Sequence, residues 1–223
     1  MTLPGNHEMH GNFSHYDYRF SMIGDRYNPK PDAPLTSRLS NHYHSFDIGP
    51  AHILMFSTEF YYYTGFGWDQ IPRQFEFLEE DLKRAKANRA ERPWIIAMAH
   101  RSPYCIKMGD GSCDTDTMDR PEIRLGIHMH NNTQEERKYG LEKLFYDYGV
   151  DIALYGHDHF FARTLPIYNY TVDTSAPDPY INPNGTVHIV TGTAVSDLSS
   201  LIIIIIILII IFVSSFPFFF NYP

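Results

Sequence analysis

Three short stretches carry side chains whose types and spacing suit metal-assisted hydrolysis. Gly5-Asn6-His7-Glu8 stands near the start of the chain. His100 follows a short apolar run 94 residues after Asn6, and Gly156-His157-Asp158-His159 lies a further 57 residues on. An Asn carboxamide oxygen is a poor metal ligand alone, but it serves beside two imidazoles, and imidazole suits Zn, Fe and Mn. Two His one residue apart after a strand can face the same volume, while Asp158 between them points elsewhere, to groups that orient a ligand. His7 adjoins Asn6, where it can hand a proton to a leaving group. Taken singly, each stretch reads equally well as an ordinary turn, a solvated His-rich loop or a buried strand-end His. Order and spacing together favour chemistry.

The elements around these residues must bring them together. Residues 94–98 form an apolar run ending at His100, and residues 150–155 another ending at Gly156-His157. Two buried strands thus each deliver a His at the C-terminal end, where α/β sheets keep their ligands. Residues 42–48, Gly49-Pro50 and residues 51–58 predict a β-hairpin. Asp69 followed by Pro72 predicts a helix start, with Phe75, Leu78, Leu82 and Ala85 at its apolar spacing. Residues 133–148 predict a second amphipathic helix, with Leu141, Leu144, Phe145 and Tyr148 on one face, and residues 187–190 a last strand. Strand, helix, strand, helix, strand is an α/β pattern.

A chain of 223 residues and 25.9 kDa holds one sizeable α/β domain or two small ones. With 43 % hydrophobic and 20 % charged residues, the composition is globular and excludes disorder and a disulfide-packed miniature. Eighteen basic against 26 acidic residues leave a net charge of −8 and no basic face for a phosphate backbone, which excludes nucleic acid as a partner. Twelve His exceed what a core needs.

Every charged residue lies at or before Asp197, so residues 1–197 read as the domain and 198–223 as something else. The 13 apolar residues 201–213 fall short of the roughly 20 that span a bilayer. Counting through Phe220 reaches that length only with two Ser and a Pro inside. Three readings stand: a marginal membrane anchor over 201–220, a tail removed on lipid anchoring, or a translated pyrimidine-rich intron. The last weighs most, because Ile and Phe codons are U-rich.

In this order and at these intervals, the three stretches resemble the calcineurin-like metallophosphoesterases, and more specifically the purple acid phosphatases of the animal iron/zinc type. The resemblance covers nearly all of residues 3–194. It is also carried by residues 43–59, Arg92-Pro-Trp-Ile-Ile-Ala-Met-Ala-His-Arg, the loop with Cys105 and Cys113, Leu144-Phe-Tyr-Asp-Tyr-Gly-Val-Asp and Val187-His-Ile-Val-Thr-Gly. It implies an α/β fold, a metallophosphoesterase β-sandwich flanked by helices. It also implies hydrolysis of phosphate monoesters at acid pH, with Fe and Zn (or Mn) as a binuclear centre whose hydroxide attacks phosphorus in line. Asn6, His100 and His157 match the ligands of the divalent ion, and His159 the imidazole on the ferric ion. His7 matches the His that contacts phosphate and protonates the departing alkoxide.

The same resemblance implies seven ligands, of which these stretches supply four. The family's Gly-Asp-x-Gly and Gly-Asp-x-x-Tyr motifs, the source of a ferric Asp, a bridging Asp and the colour-giving Tyr, belong ahead of Gly5. Gly24-Asp25-Arg26-Tyr27 is one residue short and lies downstream. Thr2-Leu3-Pro4 looks like the tail of a strand leading into Asn6. The expectation is therefore an incomplete sandwich that lacks N-terminal strands, exposes a sheet edge and holds at most one divalent ion. The family pattern also stops abruptly at Gly192-Thr193-Ala194. After His159 the usual His-x-Tyr-Glu-Arg is replaced by Phe160-Phe161-Ala162-Arg163, without the Glu.

His128 and His130 are the nearest candidates for a further substrate-contacting His, although a solvated loop is the commoner reading. His42, His44, His52 and His188 read as packing residues, and so do Tyr61-Tyr62-Tyr63 and Trp68. A non-catalytic, membrane-tethered fragment of the same fold is the alternative function.

Cys105 and Cys113 either close a small ring worth about 2.5 kcal/mol of chain entropy or remain two loop thiols. Sequons at Asn12, Asn131, Asn169 and Asn184 tilt the balance to a glycosylated, disulfide-permissive setting. The start of the chain has no signal-peptide pattern. The expectation is a complete protein that is secreted or lysosomal.

Overall fold

The computed structural model describes residues 2–20, 41–66, 69–105, 119–128, 136–174 and 177–192. Cys113, His130, Asn131, Trp68, the 24–27 stretch and the tail 198–223 lie outside them. The helices are α1 (Ser14–Arg19), α2 (Gln70–Ala87), α3 (Pro121–Arg124) and α4 (Leu141–Tyr148). The strands that build the main sheet are β1 (His44–Ile48), β2 (Ala51–Met55), β3 (Trp94–Ala99), β6 (Ile152–Tyr155), β7 (Phe161–Arg163) and β10 (Val187–Thr191). Two small sheets pair β4 (Gly126–His128) with β5 (Arg137–Tyr139), and β8 (Ile167–Tyr168) with β9 (Thr171–Val172).

The main sheet runs β1-β2-β3-β6-β10-β7. Its middle four strands are parallel, and β1 and β7 are antiparallel edges. β2, β3 and β10 are nearly continuous apolar runs, as parallel strands covered on both faces require. Helices α2 and α4 lay Ile71, Leu78, Leu82, Leu144 and Phe145 on one face, against Leu54, Phe56, Ile95, Ala97 and Ala153. Ala51, Ile53, Met55 and Ile96 form the second cluster, with Leu3, Phe46, Trp94 and Met98 half-buried beside them.

The second helix begins later than its periodicity predicts. It starts at Leu141, and residues 137–139 pair instead with β4. The pairing brings the Lys138 carbonyl so close to Gly126 that a Cβ there would stand 1.9 Å from it, and Gly126 takes φ +96°. A left-handed turn and a close backbone approach both select glycine, and these contacts override the helical pattern.

Among the described residues, no helix is long and apolar enough to cross a membrane. His42, just ahead of β1, and His44, His52 and His188 of the main sheet are all buried. His52 is clamped between two carboxylates, with Nδ1 2.7 Å from Asp47 of β1 and Nε2 2.7 Å from Asp81 of α2. Burial alone would lower its pKa, but the bonds to Asp81 and Asp47 outweigh burial and raise it above 6.5. Burial likewise works against Asp81, and its bond from His52 dominates to hold the carboxyl below 3.8. Ser45 also bonds to Asp81, and Arg84 and Arg92 lie 2.8 Å from Asp81 and 3.2 Å from Asp47.

The linkage signs follow. The His52 contribution is full below pH 6.5 and is lost as pH rises through the folded value. The Asp81 contribution is full above pH 3.8 and is lost as pH falls through its lowered value. Thermal unfolding should therefore show a midpoint that declines on the alkaline side of pH 6.5, and His52→Gln should flatten that decline. An unchanged slope in the variant would dismiss the clamp.

Candidate metal centre

Register brings the two strand-end histidines together. Ala99 of β3 pairs with Tyr155 of β6, so the next residues, His100 and Gly156-His157, leave the sheet side by side. The Gly156 amide donates to the His100 carbonyl at 3.0 Å, and the Asp158 amide to the Gly156 carbonyl at 2.8 Å. His157 itself takes φ +61°, a left-handed conformation uncommon for a residue with a side chain. The imidazoles meet edge to face, ring centroids 5.0 Å apart, with His157 Nδ1 3.2 Å from His100 Nε2.

Asn6 comes from a 3-10 turn, Asn6–Met9, capped by the Gly5 amide donating to Glu8 Oε2 at 2.7 Å. Its Oδ1 lies 2.9 Å from the same His100 Nε2. Gly5 must be glycine for this approach, because a Cβ there would stand 2.8 Å from the His100 ring. A single ring nitrogen has one lone pair or one proton to share, and here two groups converge on it. Ligand atoms about 2.1 Å from a tetrahedral ion stand about 3.4 Å from each other. The spacings from Asn6 Oδ1 and His157 Nδ1 to His100 Nε2, 2.9 and 3.2 Å, suit donors to one divalent ion, the first about half an ångström tighter than ideal. Burial, then the charges of His157, Arg101, His7 and Arg120, pull the His100 pKa down to about 3, so the ring stays neutral.

The remaining sequence candidates are placed differently. His7 is exposed next to Asn6, close enough for its charge to be felt at His100. His159 is exposed and hydrogen-bonds to neither His100 nor His157. His128 ends β4, opposite Arg137 in the separate two-stranded sheet, and is exposed. Among the described residues, no set of three or more His, Cys, Asp or Glu is grouped to hold a metal. Asn6, His100 and His157 are the residues that would hold one divalent ion. Asn12, Asn169 and Asn184 are exposed, and the Asn184 amide donates to the Tyr146 hydroxyl at 2.9 Å. Cys105 is disulfide-bonded.

The calcineurin-like phosphoesterase family pattern matches residues 1–161, which include Asn6, His100 and His157. The chain belongs to the calcineurin-like phosphoesterases. This chain is 45 % identical over 195 residues to acid phosphatase type 7 of Homo sapiens, covering 87 % of this chain and 39 % of that protein. It is 46 % identical over 198 residues to acid phosphatase type 7 of Danio rerio, covering 87 % and 40 %. A solved purple acid phosphatase from yellow lupin (Lupinus luteus) seeds is 27 % identical, with a TM-score of 0.44 over 68 % of this chain and 23 % of that one. The chain spans about two fifths of the length of the curated relatives it matches.

Several residues around the His pair escape the sequence reading. Beyond β2, the parallel neighbour of β3, Glu59 is fully buried and pairs with Arg101 Nε at 2.9 and 3.2 Å. Burial lifts its carboxyl to about 7 against the pull of Arg101. Arg101 reaches on to His157, its Nη1 2.8 Å from Nε2. Arg120, with no exposed surface, donates to the Ser102 carbonyl at 3.0 Å and to Asp158 at 3.3 and 3.4 Å, tying down the turn that carries His157. The signal for Glu59 and Arg101 was positional: Glu59 opens a 3-10 turn four residues past β2 and Arg101 lies two past β3, at the end that holds the His pair.

Tyr61 packs as expected, its hydroxyl donating to the Tyr139 carbonyl at 2.7 Å. Tyr62 instead carries the Arg101 guanidinium on its ring face, 4.6 Å from the centroid.

Proposed function

We propose that this chain carries the divalent-ion half of an acid phosphatase centre that hydrolyses phosphate monoesters. The observation that carries this reading is the convergence of Asn6 Oδ1 and His157 Nδ1 on His100 Nε2, at 2.9 and 3.2 Å. The neutral O, N, N set suits Zn or Mn, held by Asn6, His100 and His157. When bound, such an ion supplies Lewis-acid charge to a phosphate oxygen. His7, exposed beside Asn6, donates a proton to the leaving-group oxygen. Arg101 and Arg120 add fixed positive charge around an anionic substrate. No role is derived for a ferric ion.

The same proposal places the protein in a secretory or lysosomal compartment. The disulfide at Cys105 and the exposed sequon residues Asn12, Asn169 and Asn184 support that location. A second reading, a non-catalytic fragment of the fold, is favoured by the lack of a carboxylate-bearing metal set among the described residues.

The test is to refold the 223-residue chain with Fe and Zn or Mn, and to measure metal content and turnover of para-nitrophenyl phosphate at acid pH. At most one divalent ion per chain, no visible colour and negligible turnover are expected. Turnover should appear when a segment with the Gly-Asp-x-Gly and Gly-Asp-x-x-Tyr motifs is joined ahead of Met1. Equal turnover with and without that segment would move the catalytic centre elsewhere. A chain that takes up no ion at all would favour the non-catalytic reading.

A further inference from the structure

Asp158, between the two His of its turn, is held through both side chain and backbone. Its carboxylate accepts from Arg120 Nη2, at 3.3 and 3.4 Å to its two oxygens. Its carbonyl passes so close to Gly192 that a Cβ there would stand 2.1 Å from the oxygen. Gly192 directly follows β10 and lies outside the left-handed region, so this approach alone selects glycine. Arg120 is fixed in turn. It has no exposed surface, its backbone amide donates to the Pro103 carbonyl at 2.8 Å, and Nη1 donates to the Ser102 carbonyl at 3.0 Å. The two holds thus come from different parts of the fold, the segment after β3 and the end of β10.

The residue next to this hold is His157, at φ +61°. A left-handed backbone is disfavoured for a residue with a Cβ and persists where the surroundings impose it. We propose that Asp158, clamped between Arg120 and Gly192, is the positioning residue that imposes it, and so keeps His157 Nδ1 3.2 Å from His100 Nε2. A donor preset in this way needs less ordering when an ion binds, which raises affinity. Asp158 acts through His157, and the proposal rests on the reading of Asn6, His100 and His157 as donors to one divalent ion.

Charge and position predict different results. A carboxylate near a divalent ion attracts it whatever its geometry. If Asp158 acted by charge alone, Asp158→Asn and Asp158→Ala would weaken Zn(II) binding equally, and Gly192→Ala, which changes no charge, would leave it as it was. As a clamp, Asp158→Asn keeps an oxygen for Arg120, Asp158→Ala removes it, and Gly192→Ala pushes the Asp158 carbonyl away. Calorimetric titration of the full chain with Zn(II) reports affinity. Hydrogen exchange in the metal-free chain reports the turn, through the Gly156 amide, which donates to the His100 carbonyl, and the Asp158 amide, which donates to the Gly156 carbonyl. The β6 amides serve as the folding control.

Wild type and Asp158→Asn should bind Zn(II) alike. Asp158→Ala and Gly192→Ala should bind it about tenfold to a hundredfold more weakly, the range for loss of a group that orients a ligand. In those two variants the turn amides should exchange faster while those of β6 keep their rates. One affinity shared by all four chains overturns the proposal, and so does Asp158→Asn binding as weakly as Asp158→Ala. If Asp158→Ala fails to fold, Gly192→Ala decides by the same readings. If no chain binds Zn(II), the metal reading fails and exchange alone decides. Faster exchange of the turn amides then supports the clamp, and unchanged rates overturn it.

Discussion

Replacing His100 with alanine is expected to abolish Zn(II) binding, raising Kd by more than about a hundredfold. Loss of a residue that only orients a ligand costs up to that much in metal sites, and His100 is the hub itself. Asn6 Oδ1 and His157 Nδ1 both contact His100 Nε2. Without the ring, two donors from distant parts of the chain remain, with nothing between them. The space vacated lies at the end of the sheet, where the ring is only half-buried, so the fold should persist. Calorimetry gives the affinity, and far-ultraviolet circular dichroism serves as the folding control. A variant that binds Zn(II) as tightly as the wild type would show that the ion sits elsewhere.

The largest effect on stability is expected from Arg124→Met. Arg124 is buried between Asp119, bonded through Nε, and Glu142, whose Oε2 is 2.8 Å from Nη1. The same two carboxylates accept the Tyr104 hydroxyl, the Tyr170 hydroxyl at 2.6 Å and the Asn169 amide at 2.8 Å. The guanidinium also covers the Tyr170 ring, 4.3 Å from its centroid. This network joins the segment after β3, helices α3 and α4, and the β8–β9 hairpin.

Removing Arg124 takes its charge away from two buried carboxylates, and breaking a buried pair in this way costs about 3–5 kcal/mol. Natural domains hold only about 5–15 kcal/mol in total. Urea unfolding should therefore show a large drop in midpoint, and Asp119→Asn/Arg124→Met/Glu142→Gln should recover much of it. A loss below about 1 kcal/mol in the single variant would mean that water already screens the cluster.

Both predictions concern residues whose sequence signal differs sharply. His100 and His157 were legible because each follows an apolar run, and the C-terminal ends of such strands are where α/β sheets gather chemistry. Helix α2 was legible from Leu78, Leu82 and Ala85, and the β1–β2 hairpin from Gly49-Pro50, because periodicity and turn chemistry act over a few residues. The domain's acidic, globular character is a sum over the chain and needs no fold to read.

Only the tertiary structure decided which strand lies beside which. The pairing of Ala99 with Tyr155 turns two separate histidines into one site, and nothing local in either strand specifies it. It also decided that residues 137–139 join β4 and shorten the predicted helix, since a strand partner 11 residues away outweighs helical spacing. Glu59 with Arg101, and Arg124 with Asp119 and Glu142, were illegible for the same reason. A charged residue reads as solvated until the fold removes its water and supplies a counter-charge from another element. Residue types and order fixed what chemistry this chain can offer, whereas the depth, partner and proton of each group depend on contacts between segments far apart in the chain.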